Sequence, residues 1–257
     1  RFYNLILHPR LGSPMIWDAL ILVIFVVAAT GYAYVQMRPD IVNGGVWLPF
    51  LGTVGSRDVS AEELRRMRET SERQARTVAP VALGLAILVD TAAAWVLATQ
   101  LSRSWWSGGT LTLTFIGAAM ASGAAVLILG SLFALSRTDG AREARALLAK
   151  IAAVGAVVLL FSSYNDIVVN AWWGKGAEHD ASSMVFAKYL PLHLAEISLI
   201  VFAILLFVRY AGSSLGLVLG SLSVAAGVLL HRFLLLPSAY NLIPFRLPVT
   251  GGNGYSE

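Results

Sequence analysis

Six stretches of this chain are long, apolar and nearly free of charge, and no other feature limits the possible folds so sharply. They lie at about residues 16–37, 78–101, 110–136, 147–170, 188–209 and 213–236. A bilayer core of about 30 Å is crossed by about 20 helical residues. In hydrocarbon every backbone N–H and C=O must be bonded within the protein, so only helices and closed barrels span it. Barrel strands are shorter and alternate apolar with polar residues, whereas these runs are continuous. The fold class is therefore all-α, a polytopic transmembrane helical bundle treated as one domain over residues 1–257, with six helices in this sequence. Composition agrees: charged residues make up 13% of the chain and hydrophobic ones 57%, where a soluble domain carries about a quarter charged residues. Small residues recur, as in the stretch from Gly117 to Ala125, and they let helix backbones approach closely in lipid.

Six spans place the loops alternately on two faces. One face carries both chain ends. The other receives the basic residues from Arg38 to Arg76, from Arg137 to Lys150, and Arg209, twelve of the 19 in the chain. The positive-inside rule makes that richer face cytoplasmic and puts the chain ends outside. The basic residues sit in loops between apolar runs, so the net charge of +4 is a topology signal and gives no reason to expect nucleic acid; membrane lipid is the expected surrounding. The largest loop, about residues 38–77, contains a short amphipathic helix at about 61–76. Ser60 and Glu63 form its capping box, and Arg65, Glu69 and Arg73 are spaced as oppositely charged pairs four apart. Such a helix is expected to lie solvated at the lipid headgroups.

Ionisable groups inside a membrane are costly and mark candidate functional sites. Asp18 opens the first span, Asp166 closes the fourth, His193 and Glu196 share one side of the fifth near its start, and His231 and Arg232 close the sixth. All belong to the outer half, and Asp90 in the second span lies near mid-membrane. The sequence has no G-x-S-x-G, no H-E-x-x-H and no phosphate-cradling loop, which leaves hydrolase, zinc-protease and nucleotidase chemistry without its signatures. A quinone suits the pattern. Its ring takes apolar and aromatic walls, its carbonyls take donors, and its electrons travel with protons that carboxyl and imidazole groups can exchange. Tyr3, Trp17, Tyr164, Trp172 and Trp173 belong to the same face as His8 and Asp18. An interfacial aromatic belt with carboxylates neutralised by Arg10 or Arg232 is the alternative. The chain has no Cys, which excludes iron–sulfur ligation and thiolate metal sites in it.

The segment Phe2-Tyr3-Asn4-Leu5-Ile6-Leu7-His8-Pro9-Arg10-Leu11-Gly12-Ser13-Pro14-Met15-Ile16-Trp17-Asp18 resembles the loop and helix entry of polysulfide-reductase-like membrane subunits, the NrfD-type family. There a His-Pro or Arg-Pro precedes Ser-Pro-Met/Leu-x-Trp-Asp/Gly. Arg38-Pro39-Asp40 resembles the end of that helix in the long branch, which includes the quinol-oxidising subunits of alternative complex III. Leu88-Val89-Asp90-Thr91 through Trp95 is similar to a helix of that branch with His where this chain has Asp90. Leu192 to Glu196, and Gly227 to Phe233 with Arg232 near its end, resemble two later helices.

The resemblance implies an eight- to ten-helix protein in an inner membrane of a bacterium or archaeon, of which this sequence would lack two helices at the front. It implies a subunit of a respiratory oxidoreductase complex that binds a menaquinone- or ubiquinone-type quinone, with no haem or metal in this chain. Electrons would pass between the quinone pool and a periplasmic four-cluster iron–sulfur subunit, and through it a molybdopterin enzyme or cytochromes; this chain would not be catalytic alone. His8, Arg10, Trp17 and Asp18 are the quinone-site candidates on this resemblance, Asp18 as proton acceptor and His8 as hydrogen-bond partner of a ring oxygen. Asp90, Asp166 and Glu196 are candidates for a proton path, with proton translocation as its possible outcome, and Arg232 for their ion-pair partner. Two alternatives stay open. One is a b-type haem between His193 and His231; the other is a secondary transporter with coupled carboxylates Asp90 and Glu196, against which stands the absence of visible repeats.

Overall fold

A computed structural model of the chain describes residues 12–44, 46–48, 52–54, 59–99, 109–134, 139–173 and 177–241. Its elements are α1 (Pro14–Gly44), the short strands β1 (Val46–Leu48) and β2 (Gly52–Val54), α2 (Ala61–Ala98), α3 (Leu111–Ala134), α4 (Asp139–Trp173), α5 (Ala177–Arg209) and α6 (Ser214–Asn241). All six helices are long and apolar enough to cross a membrane, so the protein is a multi-pass membrane protein. Its contacts divide it into two units, Arg1–Val96 and Leu97–Glu257.

In the first unit, α1 starts at Pro14, where a missing N–H costs nothing, and the Ser13 carbonyl accepts from the Ile16 amide at 3.1 Å. After α1 a small antiparallel hairpin pairs Val46 with Val54 and Leu48 with Gly52. Ser60 then caps α2, its Oγ accepting from the Glu63 amide at 3.3 Å. The segment expected as a separate loop helix and the second span are one helix of 38 residues. At 1.5 Å per residue that is about 57 Å, far more than the bilayer core needs. The charged first half of α2 is therefore continuous with the span, and Pro80 lies inside the helix. In that half Arg66 pairs with Glu62 at 2.8 Å and Arg76 with Glu72 at 3.9 Å along the helix, and Arg68 reaches Asp40 on α1 at 3.4 Å.

The second unit is a four-helix bundle in which α3 packs on α4, α4 on α5, α5 on α6 and α6 back on α3. Lipid tails are as apolar as leucine side chains, so close packing has to replace the hydrophobic effect between helices. Hence the α3–α4 seam is built of small residues: Ala118, Ala121 and Ala125 face Ala149, Ala152 and Ala156 in one buried cluster. Gly117 and Gly155 mark the closest approach. A Cβ on Gly117 would stand 2.7 Å from the Leu159 amide nitrogen, and one on Gly155 2.7 Å from that of Ala121. Across α5 and α6 larger groups interlock, with Phe207 against Gly220 and Ile200 against Gly227. Large apolar side chains such as Phe161, Val208 and Leu229 point outward, where lipid is their solvent.

Polar side chains bind the helices at both ends of this bundle. Where α4 begins, Arg145 donates to Oγ and the carbonyl of Ser131 near the end of α3, at 3.1 and 3.0 Å. At the other end Thr114 donates to Ser162 Oγ at 3.0 Å, and Ser162 donates to its own helix at Val158. That second end holds the site.

Candidate functional site

Glu196 is buried within the span of α5, 1% exposed. A carboxyl so placed needs several donors, because an isolated ionised carboxylate in an apolar interior is prohibitively costly. Three helices supply its neighbours. From α6, His231 brings Nδ1 to 2.9 Å of Glu196 Oε1. From α4, the Tyr164 hydroxyl donates to Oε2 at 3.1 Å. On α5 itself His193 lies one turn earlier, at the three-residue spacing that puts both side chains on one face, with Nδ1 3.7 Å from Oε2.

The hydroxyl of Tyr164 joins the two groups on α5. Its oxygen is 3.2 Å from His193 Nδ1 and 3.4 Å from the His193 carbonyl, and the two rings meet edge-on at 5.9 Å between centroids. The result is a hydrogen-bonded series His193, Tyr164, Glu196, His231 that ties α4, α5 and α6 together. His193 and His231 are themselves buried. Nδ1 of His231 must donate when Glu196 is ionised, whereas Nδ1 of His193 can donate to the phenol oxygen or accept from it. Pro191, two residues before His193, lies inside α5; it removes one backbone bond from the turn that carries the site.

Arg232, next to His231 on α6, stacks its guanidinium over the Phe115 ring of α3, 3.7 Å from the centroid. This cation–π contact holds the charge beside the cluster. Nearby, Thr110 donates to the Ser162 carbonyl at 2.8 Å, closing α3 against α4.

The structure thus assembles Glu196 with both histidines, residues that the sequence alone divides between a proton path and a haem. Both imidazoles present Nδ1 to the same carboxyl, at 2.9 and 3.7 Å. Tyr164 enters the site as a hydrogen-bonding hub, where the sequence offers it only as an aromatic wall. Its position at the depth of His193 is the one available signal. Asp18 and Asp90 belong to the first unit, each half-buried, on α1 and α2 respectively. Trp17 is exposed beside Asp18. His8 and Arg10 lie outside the described residues, as does the side chain of Asp166.

Part of the chain has a recognisable relative. Over 138 residues, 52% of the chain, it is 28% identical to a protein of Halobacterium salinarum whose name describes it as a dimethyl sulfoxide reductase membrane subunit. The match spans only 29% of that relative's length. The sequence model of the family described as Polysulphide reductase, NrfD matches residues 1–244. A match of that extent, on a helical bundle with ionisable groups gathered in its spans, shows that this chain belongs to the NrfD polysulphide reductase family.

Proposed function

We propose that the chain is the quinol- or quinone-binding membrane subunit of a respiratory oxidoreductase complex. It exchanges electrons between the quinone pool and a periplasmic iron–sulfur partner, which continues to a molybdopterin enzyme or cytochromes. The observation that carries this reading is family membership joined to a buried His–Tyr–Glu–His cluster within the membrane spans. Groups that exchange protons are costly in lipid and belong where a reaction needs them. The relative's name, a reductase membrane subunit, is in keeping with such a complex.

A quinone supplies two-electron chemistry coupled to two protons; the chain supplies the pocket and the proton-accepting groups. The headgroup would be held near the start of α1. There the half-buried carboxyl of Asp18 stands one turn into the helix, available to accept a hydroxyl proton. The exposed indole of Trp17 beside it suits a ring wall. His8 and Arg10 complete the proposed site, His8 as hydrogen-bond partner of a ring oxygen. Asp90, Asp166 and Glu196 are the carboxyls proposed to carry protons, with Arg232 as the charge that compensates them. By charge asymmetry the end of the four-helix bundle that carries the cluster faces outward, as a periplasmic partner requires.

The test is Asp18→Asn in the assembled complex. We expect quinol turnover to fall by about two orders of magnitude or more, as loss of a positioned general base does, while the complex still assembles. Unchanged turnover and unchanged binding of a quinone analogue would remove Asp18 from the site.

A further inference from the structure

The cluster of the four-helix bundle has an open end. His231 is 7% exposed and its Nε2 is buried, yet that atom meets no hydrogen-bonding atom among the described residues. Buried polar atoms are bonded in the great majority of cases. This one belongs to a ring whose other nitrogen is fixed 2.9 Å from a carboxyl. From it short contacts continue without a gap: His231 Nδ1 to Glu196 Oε1 at 2.9 Å, Glu196 Oε2 to the Tyr164 hydroxyl at 3.1 Å, and that hydroxyl to His193 Nδ1 at 3.2 Å. The hydroxyl has one hydrogen and two acceptors at almost equal range, so a small rotation redirects it.

The charged and titratable groups around this series are few among the described residues. On α6 they are His231 and Arg232, the latter over Phe115 of α3. On α5 they are His193 and Glu196, with Lys188 over the Tyr189 ring nearer the helix start. Tyr164 is the contribution of α4, and hydroxyls come from Thr114 of α3 and from Thr110 just before it.

We infer that His231, Glu196, Tyr164 and His193 form one proton relay, entered at His231 Nε2 and left through His193. A proton bound at Nε2 makes His231 an imidazolium. Its Nδ1–H bond then breaks as an O–H bond forms on Glu196 Oε1, and His231 is neutral again. A half-turn of the carboxyl brings that hydrogen to the side of Tyr164. The acid gives it to the phenol oxygen while the phenol gives its own hydrogen to His193 Nδ1. One proton has crossed, Glu196 is a carboxylate once more, and His193 carries the charge. No oxidant or reductant takes part. The relay deepens the quinol-linked reading, since it names where protons are handed on, and rests on that reading for its purpose.

The test is solid-state 15N NMR of the full chain in lipid bilayers, labelled at histidine, across a pH series and without quinone or partner. The chain has four histidines, and His8→Gln with His179→Gln leaves the two buried ones. We expect His193 and His231 to change protonation together and to show an exchange cross-peak, which Tyr164→Phe abolishes. Two results would overturn the relay: both rings keeping one fixed tautomer at every pH at which the helices persist, or the cross-peak surviving in Tyr164→Phe. The first is read on the unaltered cluster and needs no variant to fold. Either would reduce the cluster to a clamp that joins three helices. Quinol turnover is read separately through Asp18, so a failed relay and a failed quinol site give different outcomes.

Discussion

Glu196 concentrates the demands that a membrane interior makes of a single residue. Its carboxyl holds the His231 imidazole and the Tyr164 phenol at 2.9 and 3.1 Å, and the carboxyl itself is closed to water. Replacing Glu196 by Leu would strand His231 Nδ1 in an apolar surrounding, whereas the Tyr164 hydroxyl can turn to His193 Nδ1 at 3.2 Å. A buried group left without its partner costs about 1–3 kcal/mol, and the bundle is expected to be destabilised by about that amount. Glu196→Gln, whose amide oxygen still accepts one hydrogen bond, should cost distinctly less. Reversible unfolding of both variants in mixed micelles measures the difference; equal stabilities would show that the carboxyl does not hold the helices. Half of this site was legible in the chain. His193 and Glu196 sit three residues apart, and helical spacing alone puts them side by side. The partnership with His231 is fixed by how α6 packs on α5, where Gly227 meets Ile200, and no local pattern announces such a register. Tyr164 was legible as a residue of the right depth and illegible as a hydrogen-bonding group, because its rotation about α4 depends on the α3–α4 seam.

The helices themselves were the most readable level, since six uninterrupted apolar runs leave the backbone one way to satisfy itself. Their ends were less so. A capping box at Ser60 and an apolar run from Val78 read as two elements, a loop helix and a span, yet in the structure they are one helix, α2. Proline removes one bond, but the apolar residues that follow it in α2 can satisfy their backbone in lipid only as helix, so the helix continues. Packing of α3 on α4 was visible only as a richness in small residues, and the structure turns it into a specific requirement. Any side chain at Gly155 would push its Cβ to 2.7 Å from the Ala121 nitrogen and 2.9 Å from the Gly117 carbonyl. Those are backbone atoms and cannot rotate aside. Overpacking of this kind costs about 1–3 kcal/mol. Gly155→Val is therefore expected to loosen α3 from α4 by about that amount, while Gly123→Val, where a Cβ meets nothing within 4 Å, should be nearly neutral apart from propensity. Paired unfolding curves distinguish the two, and equal losses would mean that helix propensity, not the seam, governs both positions.

For the whole molecule the decisive property is which face each end of the bundle meets, because a proton released near Asp18 or His193 has a different destination on either side. Twelve of the 19 basic residues belong to one set of loops, and the cytoplasmic bias of such residues leads us to expect that set inside. The chain contains no Cys, so single cysteines report sidedness without background. Gly109, before α3, and Gly140, at the start of α4, both have open space where a side chain would begin, and Arg66 is exposed on the charged half of α2. A membrane-impermeant thiol reagent added to intact cells should label Gly109→Cys. It should reach Gly140→Cys and Arg66→Cys only after the membrane is opened. Labelling in the reverse order would turn the cluster toward the cytoplasm. A periplasmic iron–sulfur partner would then be ruled out at that end, and quinol protons would be released inside. Labelling of Arg66→Cys and Gly140→Cys from opposite sides would instead break the alternation of the six spans, since an odd number of crossings would then separate them. The expected order would put the end of the four-helix bundle that holds the histidines on the outer face, so that protons handed on by the proposed relay would be released on the side proposed for the iron–sulfur partner.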